Sequence, residues 1–196
     1  QYYVKELEAP KGYATTDKVV DIDASYQGDD MEVIEFTADF VNDTTKVEFS
    51  KTDITGDNEI AGAKLTILDS TGKVIEMWTS EAGKSHLVEK LPVGNYILRE
   101  ETAPYGYKIA QDVEFTVEDT GEVQKVSMKD ELVNGKIIIN KSDEYTKKGI
   151  AGVEFEIRDA DGKVIETLVT DKDGHAESKE LPIATFKDGN FAADIK

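Results

Sequence analysis

Residues 46–81 read KVEFSKTDITGDNEIAGAKLTILDSTGKVIEMWTSE, and residues 136–171 repeat this stretch as KIIINKSDEYTKKGIAGVEFEIRDADGKVIETLVTD. A second repeat relates EETAPYGY, which ends at Tyr107, to ELEAPKGY, which ends at Tyr13. Self-similarity of this kind indicates that a chain is built from copies of one structural module. The fold therefore has to be predicted module by module.

The order of the repeated parts divides the chain into three predicted domains. Residues 1–45 are the C-terminal part of one module, residues 46–134 form a complete module, and residues 135–196 are the N-terminal part of another. The two ends read as neighbours, because FAADIK followed by QYYVKELEAPKGY continues the module sequence. One hypothesis is that half-modules of different copies complete each other head to tail, as in open filaments. The alternative is an arbitrary boundary within a longer array.

Composition excludes several classes of function. The formal net charge of −18 argues against a nucleic-acid partner, because phosphate contacts need clustered Lys and Arg. No apolar run is long enough for membrane insertion, and the absence of cysteine excludes disulfides. Asp-Gly pairs such as that in residues 171–174 lack the closing glutamate of a calcium loop, so we predict turns there. We predict neither a metal site nor a cofactor.

Short alternating segments predict an all-β fold. Apolar residues such as Val47 and Phe49 alternate with polar neighbours, and turn pairs such as Thr71-Gly72 separate the segments. Strands of this length and spacing are typical of antiparallel β-sandwiches. We therefore expect tandem β-sandwiches, one complete and two partial.

Three ionisable side chains share the predicted buried face of the complete module. Lys51, Glu100 and Asp130 each follow an apolar residue by two positions, and alternate residues of a strand point to the same side. Glu101 is the neighbouring alternative to Glu100, but alternation places it on the opposite face. Burying such groups costs free energy unless they pair or change protonation.

These buried groups have a structural interpretation and a chemical one. The structural one is a buried ion pair, or strand ends at which the groups reach solvent. The chemical one is a reaction, because a neutral, desolvated amine is a nucleophile and a protonated carboxylic acid can shuttle protons. The product is an amide between Lys51 and Asp130, with loss of water.

The half-modules carry a second set of the same groups in separate parts. Lys141 belongs to the half-module at the C-terminal end of the chain, whereas Glu6 and Asn42 belong to the half-module at its N-terminal end. An amide between Lys141 and Asn42 would release ammonia. Asn134 competes with Asp130 as the counterpart of Asn42, because VNG resembles VND, but it lies beyond the apolar alternation.

The motifs of the complete module resemble those of the Cna protein B-type domains. FSKTD, LPVGNY, EETAPYGY and VSMKD occur in the family's order, and the resemblance covers essentially the whole chain. It implies a prealbumin-like, reverse-immunoglobulin sandwich with a self-formed isopeptide bond. Carried over to this sequence, it implies that Lys51 is the nucleophile, Glu100 the catalytic acid and base, and Asp130 the acceptor. One departure is LPIATFKDGNF, which replaces LPVGNY near the C-terminus.

The resemblance also implies the roles of the second set and the location of the protein. It implies a crosslink between Lys141 and Asn42, with Glu6 as the catalytic residue. Because such domains occur in surface proteins and pilins of Gram-positive bacteria, we expect an extracellular location on such a cell surface.

The expected function is structural. We predict a stalk or fibre segment that modifies only itself and is not an enzyme for external substrates. The predicted partners are neighbouring copies of the chain or adjacent domains of the same protein. The alternative is an adhesin module whose loops bind a host protein or glycan through exposed aromatic residues such as Tyr105 and Tyr107.

Overall fold

A computed structural model describes residues 1–25, 34–187 and 190–194 of the chain. Within these residues the regular secondary structure is β-strand, so the prediction of an all-β fold is confirmed. The chain forms two compact units, Gln1–Glu131 and Leu132–Lys196. None of the described residues belongs to a helix long and apolar enough to cross a bilayer.

The strands of the first unit are short and are separated by turns. They are β1 (Tyr2–Lys5), β2 (Val19–Ile22), β3 (Lys46–Asp53), β4 (Lys64–Asp69), β5 (Val74–Thr79), β6 (His86–Glu89), β7 (Gly94–Thr102), β8 (Val113–Val117) and β9 (Val123–Asp130). β1 and β2 pair as an antiparallel hairpin. The strands from β3 to β9 form two sheets, and we call this part the central sandwich.

The two sheets of the central sandwich enclose one apolar core. One sheet has the strand order β6-β3-β9 and the other has the order β5-β4-β7-β8. Val47 and Phe49 of β3 pack between the sheets with Leu98 of β7, and all three are almost fully buried. Burial of alternate residues is what the period of two in the sequence predicts for a strand with one face on a core.

One strand pairing departs from the antiparallel sandwich that the sequence predicts. β3 is antiparallel to β6 but parallel to β9, with Lys51 opposite Met128 and Asp53 opposite Asp130. Parallel neighbours need a long crossover instead of a hairpin, and here the rest of the sandwich is the crossover. The first and last strands of the sandwich therefore lie side by side and run in the same direction.

The described residues before Thr45 form what we call the N-terminal segment. It contains the β1–β2 hairpin. An antiparallel bridge joins Tyr13, in the connection between these two strands, to Thr44 at the end of the segment. Apolar side chains of β1 stay exposed, with 69% of Tyr2 and 72% of Tyr3 accessible to solvent. An exposed apolar face of this kind is consistent with the prediction that residues 1–45 are part of a module.

The second unit repeats the first strands of the central sandwich. Its strands are β10 (Asn134–Gly135), β11 (Ile138–Asn140), β12 (Glu154–Arg158), β13 (Val164–Val169), β14 (His175–Glu177), β15 (Leu181–Pro182), β16 (Ala184–Lys187) and β17 (Asn190–Asp194). The β12–β13 hairpin shifts register after Ile157, as the β4–β5 hairpin does after Ile67. A small core of Ile157, Leu168, Ala176 and Leu181, with Ile139 packed against it, holds this unit together.

Candidate functional site

Lys51, Glu100 and Asp130 meet inside the central sandwich. Lys51 comes from β3 and Asp130 from the parallel neighbour β9, whereas Glu100 comes from β7 in the opposite sheet. Only 2% of Lys51, 4% of Glu100 and 1% of Asp130 is accessible to solvent. The structure thus places all three predicted residues on the buried face, and Glu101 is exposed, as alternation predicts.

The Lys51 amine lies between the two carboxyl groups. Its Nζ is 2.9 Å from Oε1 of Glu100 and donates a short hydrogen bond to Oδ1 of Asp130. The other oxygen of Glu100, Oε2, accepts a hydrogen bond of 2.7 Å from the backbone N–H of Ala110. Glu100 is therefore held by the backbone on one side and faces the amine on the other.

The electrostatics of the site favour the protonated form of Asp130 more than water does. Burial raises the pKa of Asp130 from 3.8 to about 6; Lys51 opposes this shift, and Glu100 adds to it. Oε1 of Glu100 lies near the amine but lacks the alignment of a hydrogen bond, and Oδ2 of Asp130 has no hydrogen-bond partner. Buried carboxyl oxygens without partners are costly, so a shared proton would stabilise the site.

The turn that follows Glu100 closes one side of the site. The backbone N–H of Lys108 donates to the carbonyl oxygen of Glu131 (2.8 Å), which fixes the turn next to Asp130. Tyr107 is only 6% exposed, so the expectation that it is an exposed aromatic residue is wrong. Tyr105 is 74% exposed, as expected. Burial, and to a smaller extent nearby carboxylates, raises the pKa of Tyr107 to about 12, so its hydroxyl stays protonated.

One contact of the reactive lysine has no signal in the sequence. Oε2 of Glu59 accepts a hydrogen bond of 2.7 Å from the backbone N–H of Lys51, and Oε1 accepts one from the Ser50 hydroxyl. β6 pairs with β3 only as far as Phe49, so Glu59 replaces the missing strand partner. In the repeat Glu59 aligns with Gly149, and comparison of the two copies therefore gives no hint of this role.

The N-terminal segment brings Glu6 and Asn42 together. Nδ2 of Asn42 donates to Oε2 of Glu6 (2.6 Å) and to the carbonyl oxygen of Ala14 (2.9 Å). Oε2 of Glu6 also accepts a hydrogen bond of 2.8 Å from the backbone N–H of Thr16. Both side chains are partly exposed.

The surroundings of Asn42 match those of Asp130. Two hydrogen bonds recur. The bond from the Thr16 N–H to Glu6 corresponds to the bond from the Ala110 N–H to Glu100. The bond from the Ala14 N–H to the carbonyl oxygen of Asp43 corresponds to the bond from the Lys108 N–H to the carbonyl oxygen of Glu131. Both glutamate bonds span ten residues. Asn42 thus holds in the N-terminal segment the place that Asp130 holds in the central sandwich.

Lys141, the remaining predicted residue, lies in the second unit, away in sequence from Glu6 and Asn42. Its backbone N–H donates to the carbonyl oxygen of Gly174 (2.7 Å), and its own carbonyl oxygen accepts from Ile150 (2.9 Å). The Lys141 side chain is exposed, contrary to the expectation of a buried face. Among the described residues of the second unit, β11 pairs only with β14, so no strand takes the place that β9 has beside Lys51 in the central sandwich.

No metal site is formed among the described residues: nowhere in them do three His, Cys, Asp or Glu side chains converge as ligands.

Comparison with known proteins identifies relatives of both units. Residues 45–132 and 135–187 match the family model of SpaA, described as a prealbumin-like fold domain. Serine-aspartate repeat-containing protein D of Staphylococcus aureus strain Newman is 28% identical over 155 residues, which cover 65% of this chain and 11% of that protein. Serine-aspartate repeat-containing protein E of Staphylococcus aureus strain MSSA476 is 29% identical over 150 residues, which cover 65% of this chain and 13% of that protein.

A solved structure is similar along the whole chain. The TIE protein of Bacillus anthracis superimposes with a TM-score of 0.60 at 27% identity, covering 100% of this chain and 39% of that chain. The chain thus spans well under half the length of each of these relatives, and the matches concern its modules, not whole proteins.

Proposed function

The chain belongs to the SpaA family of prealbumin-like fold domains, and we propose that it is a load-bearing stalk segment whose central sandwich is locked by a self-formed amide bond between Lys51 and Asp130. Membership confirms the resemblance to Cna protein B-type domains and the prealbumin-like sandwich. The chain is a structural segment of an extracellular protein on a Gram-positive cell surface. The bond and the assembly of half-modules are the proposal.

The position of the Lys51 amine between two buried carboxyl groups is the observation that supports the bond most directly. Nζ attacks Cγ of Asp130, so that a C–N bond forms and a C–O bond breaks. An ammonium and a carboxylate together yield one amide and one water, and no other reactant is needed. Glu100 accepts a proton from the amine, returns it to the leaving oxygen and ends in its initial state.

Burial assists each step of this reaction. Exclusion of water favours the uncharged forms of an amine and an acid over an ion pair, because a low dielectric penalises charge. The site also holds the reacting atoms in contact, which replaces a bimolecular encounter by an intramolecular one. The raised pKa of Asp130 is consistent with a protonated acceptor, whose hydroxyl leaves as water more readily than an oxide does.

The bond would determine how the module carries force. Lys51 lies on the first strand of the central sandwich and Asp130 at the end of the last. Tension applied at the two ends of the module would pass through the amide and bypass the 79-position stretch between these residues. The non-covalent core would then carry almost no load.

Single-molecule force spectroscopy tests this function. The unchanged chain should show no extension step from the central sandwich. Lys51→Met, which removes the amine but keeps an apolar stem, should release about 260 Å of chain per unfolding event, since 79 residues extend by roughly 3.3 Å each. A step of that length in the unchanged chain would rule out a load-bearing bond.

The half-modules extend the same chemistry to neighbours. Glu6 and Asn42 would form the acceptor side of a second site, and a lysine equivalent to Lys141, from a neighbouring copy or an adjacent domain, would form the donor side. The arrangement around Asn42, which matches that around Asp130, supports this part of the proposal. Here an amine and an amide exchange, and ammonia leaves in place of water.

Denaturing gels of the concentrated chain test the source of the lysine. A covalent ladder that disappears in both Asn42→Ala and Lys141→Ala shows that copies complete each other. A single band, with a ladder absent at every concentration, leaves completion by an adjacent domain of a longer protein. Of the two aromatic residues named for an adhesin role, Tyr105 is exposed but Tyr107 is buried, and we do not propose that role.

A further inference from the structure

The N-terminal segment meets the central sandwich without a free linker. Thr45, the residue between them, has 0% of its surface exposed. Its backbone N–H donates to the carbonyl oxygen of Gly12 (3.1 Å), and its carbonyl oxygen accepts from the N–H of Lys90 (2.9 Å). Its hydroxyl donates to the carbonyl oxygen of Leu91 (2.6 Å). All the polar groups of Thr45 are therefore engaged, by both parts that it connects.

Two glycines let the two parts approach each other closely on either side of Thr45. Gly12 has a φ of +83°, and a Cβ there would lie 2.6 Å from the carbonyl oxygen of Lys90. A Cβ on Gly121 would lie 2.8 Å from Cβ of Asp43. No side chain fits at either point without a shift of the neighbouring part. The Gly12 contact is one of backbone on backbone, which is stiff because it contains no flexible side chain that can adjust.

Polar contacts reinforce this packing at two further points. Lys90 adopts a φ of +62°, which is rare for a residue with a side chain, and its Nζ lies 5.1 Å from the ring centroid of Tyr13. The backbone N–H of Thr15 donates to Oδ1 of Asp119 (2.7 Å). Strained backbone persists where several contacts fix it, and here those contacts come from the preceding segment.

We infer that these contacts form a stiff joint, which fixes the angle between consecutive modules of the stalk. The surface of the joint on the central sandwich consists of Thr45, Lys90 and residues 119–121. The partner that it fits is the Gly-Tyr turn at the end of the preceding module, here Gly12-Tyr13. The contacts involve several separate residues of both parts, so a change in the angle between these parts has to break or distort some of them. Crosslinks inside each module cannot provide this rigidity, because they leave the angle between modules free.

Distance measurement by pulsed electron paramagnetic resonance tests the joint in the full chain. The chain has no cysteine, so Asp21→Cys on β2 and Glu114→Cys on β8, both exposed, can each carry one spin label. The joint predicts one narrow distance distribution. Gly12→Ala should broaden this distance distribution roughly twofold or more, toward the width expected for two domains joined by a flexible linker.

Gly72→Ala is the matched control. Gly72 also has a φ of +83°, but a Cβ there would meet nothing within 4 Å. It therefore imposes the same backbone strain away from the joint and should leave the distribution narrow. Gly121→Ala adds a second test at the joint, because it collides with Asp43 without the strain of a positive φ. It should also broaden the distribution, and Trp78 fluorescence verifies that the central sandwich stays folded.

Two results would overturn the inference. One is a broad distribution in the chain that carries only the two labels. The other is a narrow distribution in Gly121→Ala or in folded Gly12→Ala, equal to that of Gly72→Ala.

Discussion

Replacing Glu100 with Gln should keep the Lys51 amine and the Asp130 carboxyl in place while preventing the bond between them. Gln has nearly the same shape as Glu but cannot take up and return a proton, which the proposed reaction requires. The variant is therefore an unlinked version of the same fold. The difference in its free energy of unfolding measures the contribution of the bond.

The expected size of this difference follows from the loop that the bond closes. Lys51 and Asp130 are 79 positions apart, and closing a loop of that length removes chain entropy from the unfolded state. By analogy with disulfides, the contribution to stability is about 4.5 kcal/mol. With a urea dependence of about 1 to 2 kcal/mol per molar, the unfolding midpoint should fall by about 2 to 4.5 M.

Urea titration followed by tryptophan fluorescence measures this midpoint in the relevant part of the chain. Trp78, the one tryptophan of the sequence, packs against the core of the central sandwich, so its signal reports that core alone. Glu101→Gln is the matched control, because Glu101 is adjacent but exposed, and it should keep the midpoint of the unchanged chain. A Glu100→Gln midpoint as high as that of the control would refute the reasoning.

Two further predictions concern the charge and the packing of the same core. In Glu100→Gln, burial still raises the pKa of Asp130 in the folded state, so the folded state binds the proton more tightly than the unfolded state. Its contribution to stability is thus full below about pH 4 and is lost as the pH rises through the folded-state pKa, which burial raises but to which Glu100 no longer adds. Urea titrations of Glu100→Gln between pH 4 and 8 should show this loss of stability. The double variant Glu100→Gln with Asp130→Asn should not show the loss, and an equal loss in the double variant would contradict the prediction. Leu98→Ala should lower the free energy of unfolding by about 2 to 5 kcal/mol, because Leu98 is fully buried and the change leaves a cavity; an unchanged urea midpoint would show that the core has refilled the space.

The alternation of apolar residues was enough to predict the buried face of the central sandwich. Lys51, Glu100 and Asp130 lie two positions after core residues, and the period of a strand is two wherever one face is buried. The same rule separates Glu100 from its exposed neighbour Glu101. Local sequence therefore contained the information that brings the three groups to one core.

Features that depend on the relation between distant segments could not be predicted in this way. Alternation is the same for parallel and antiparallel pairs, so it gave no sign that β3 runs parallel to β9. The contact of Glu59 with the backbone of Lys51 depends on where β6 ends, which no local pattern encodes. The exposure of Lys141 follows from what covers a strand, and a strand's own residues do not specify its cover.

Intact-mass spectrometry of the unfolded full chain tests the central claim most directly. The account predicts a mass lower than that of the sequence by one water, and a proteolytic peptide in which Lys51 is joined to Asp130. Lys51→Ala and Glu100→Gln should each restore the mass calculated from their sequences. A full, unshifted mass for the unchanged chain would contradict the account and reduce the site to a buried ion pair.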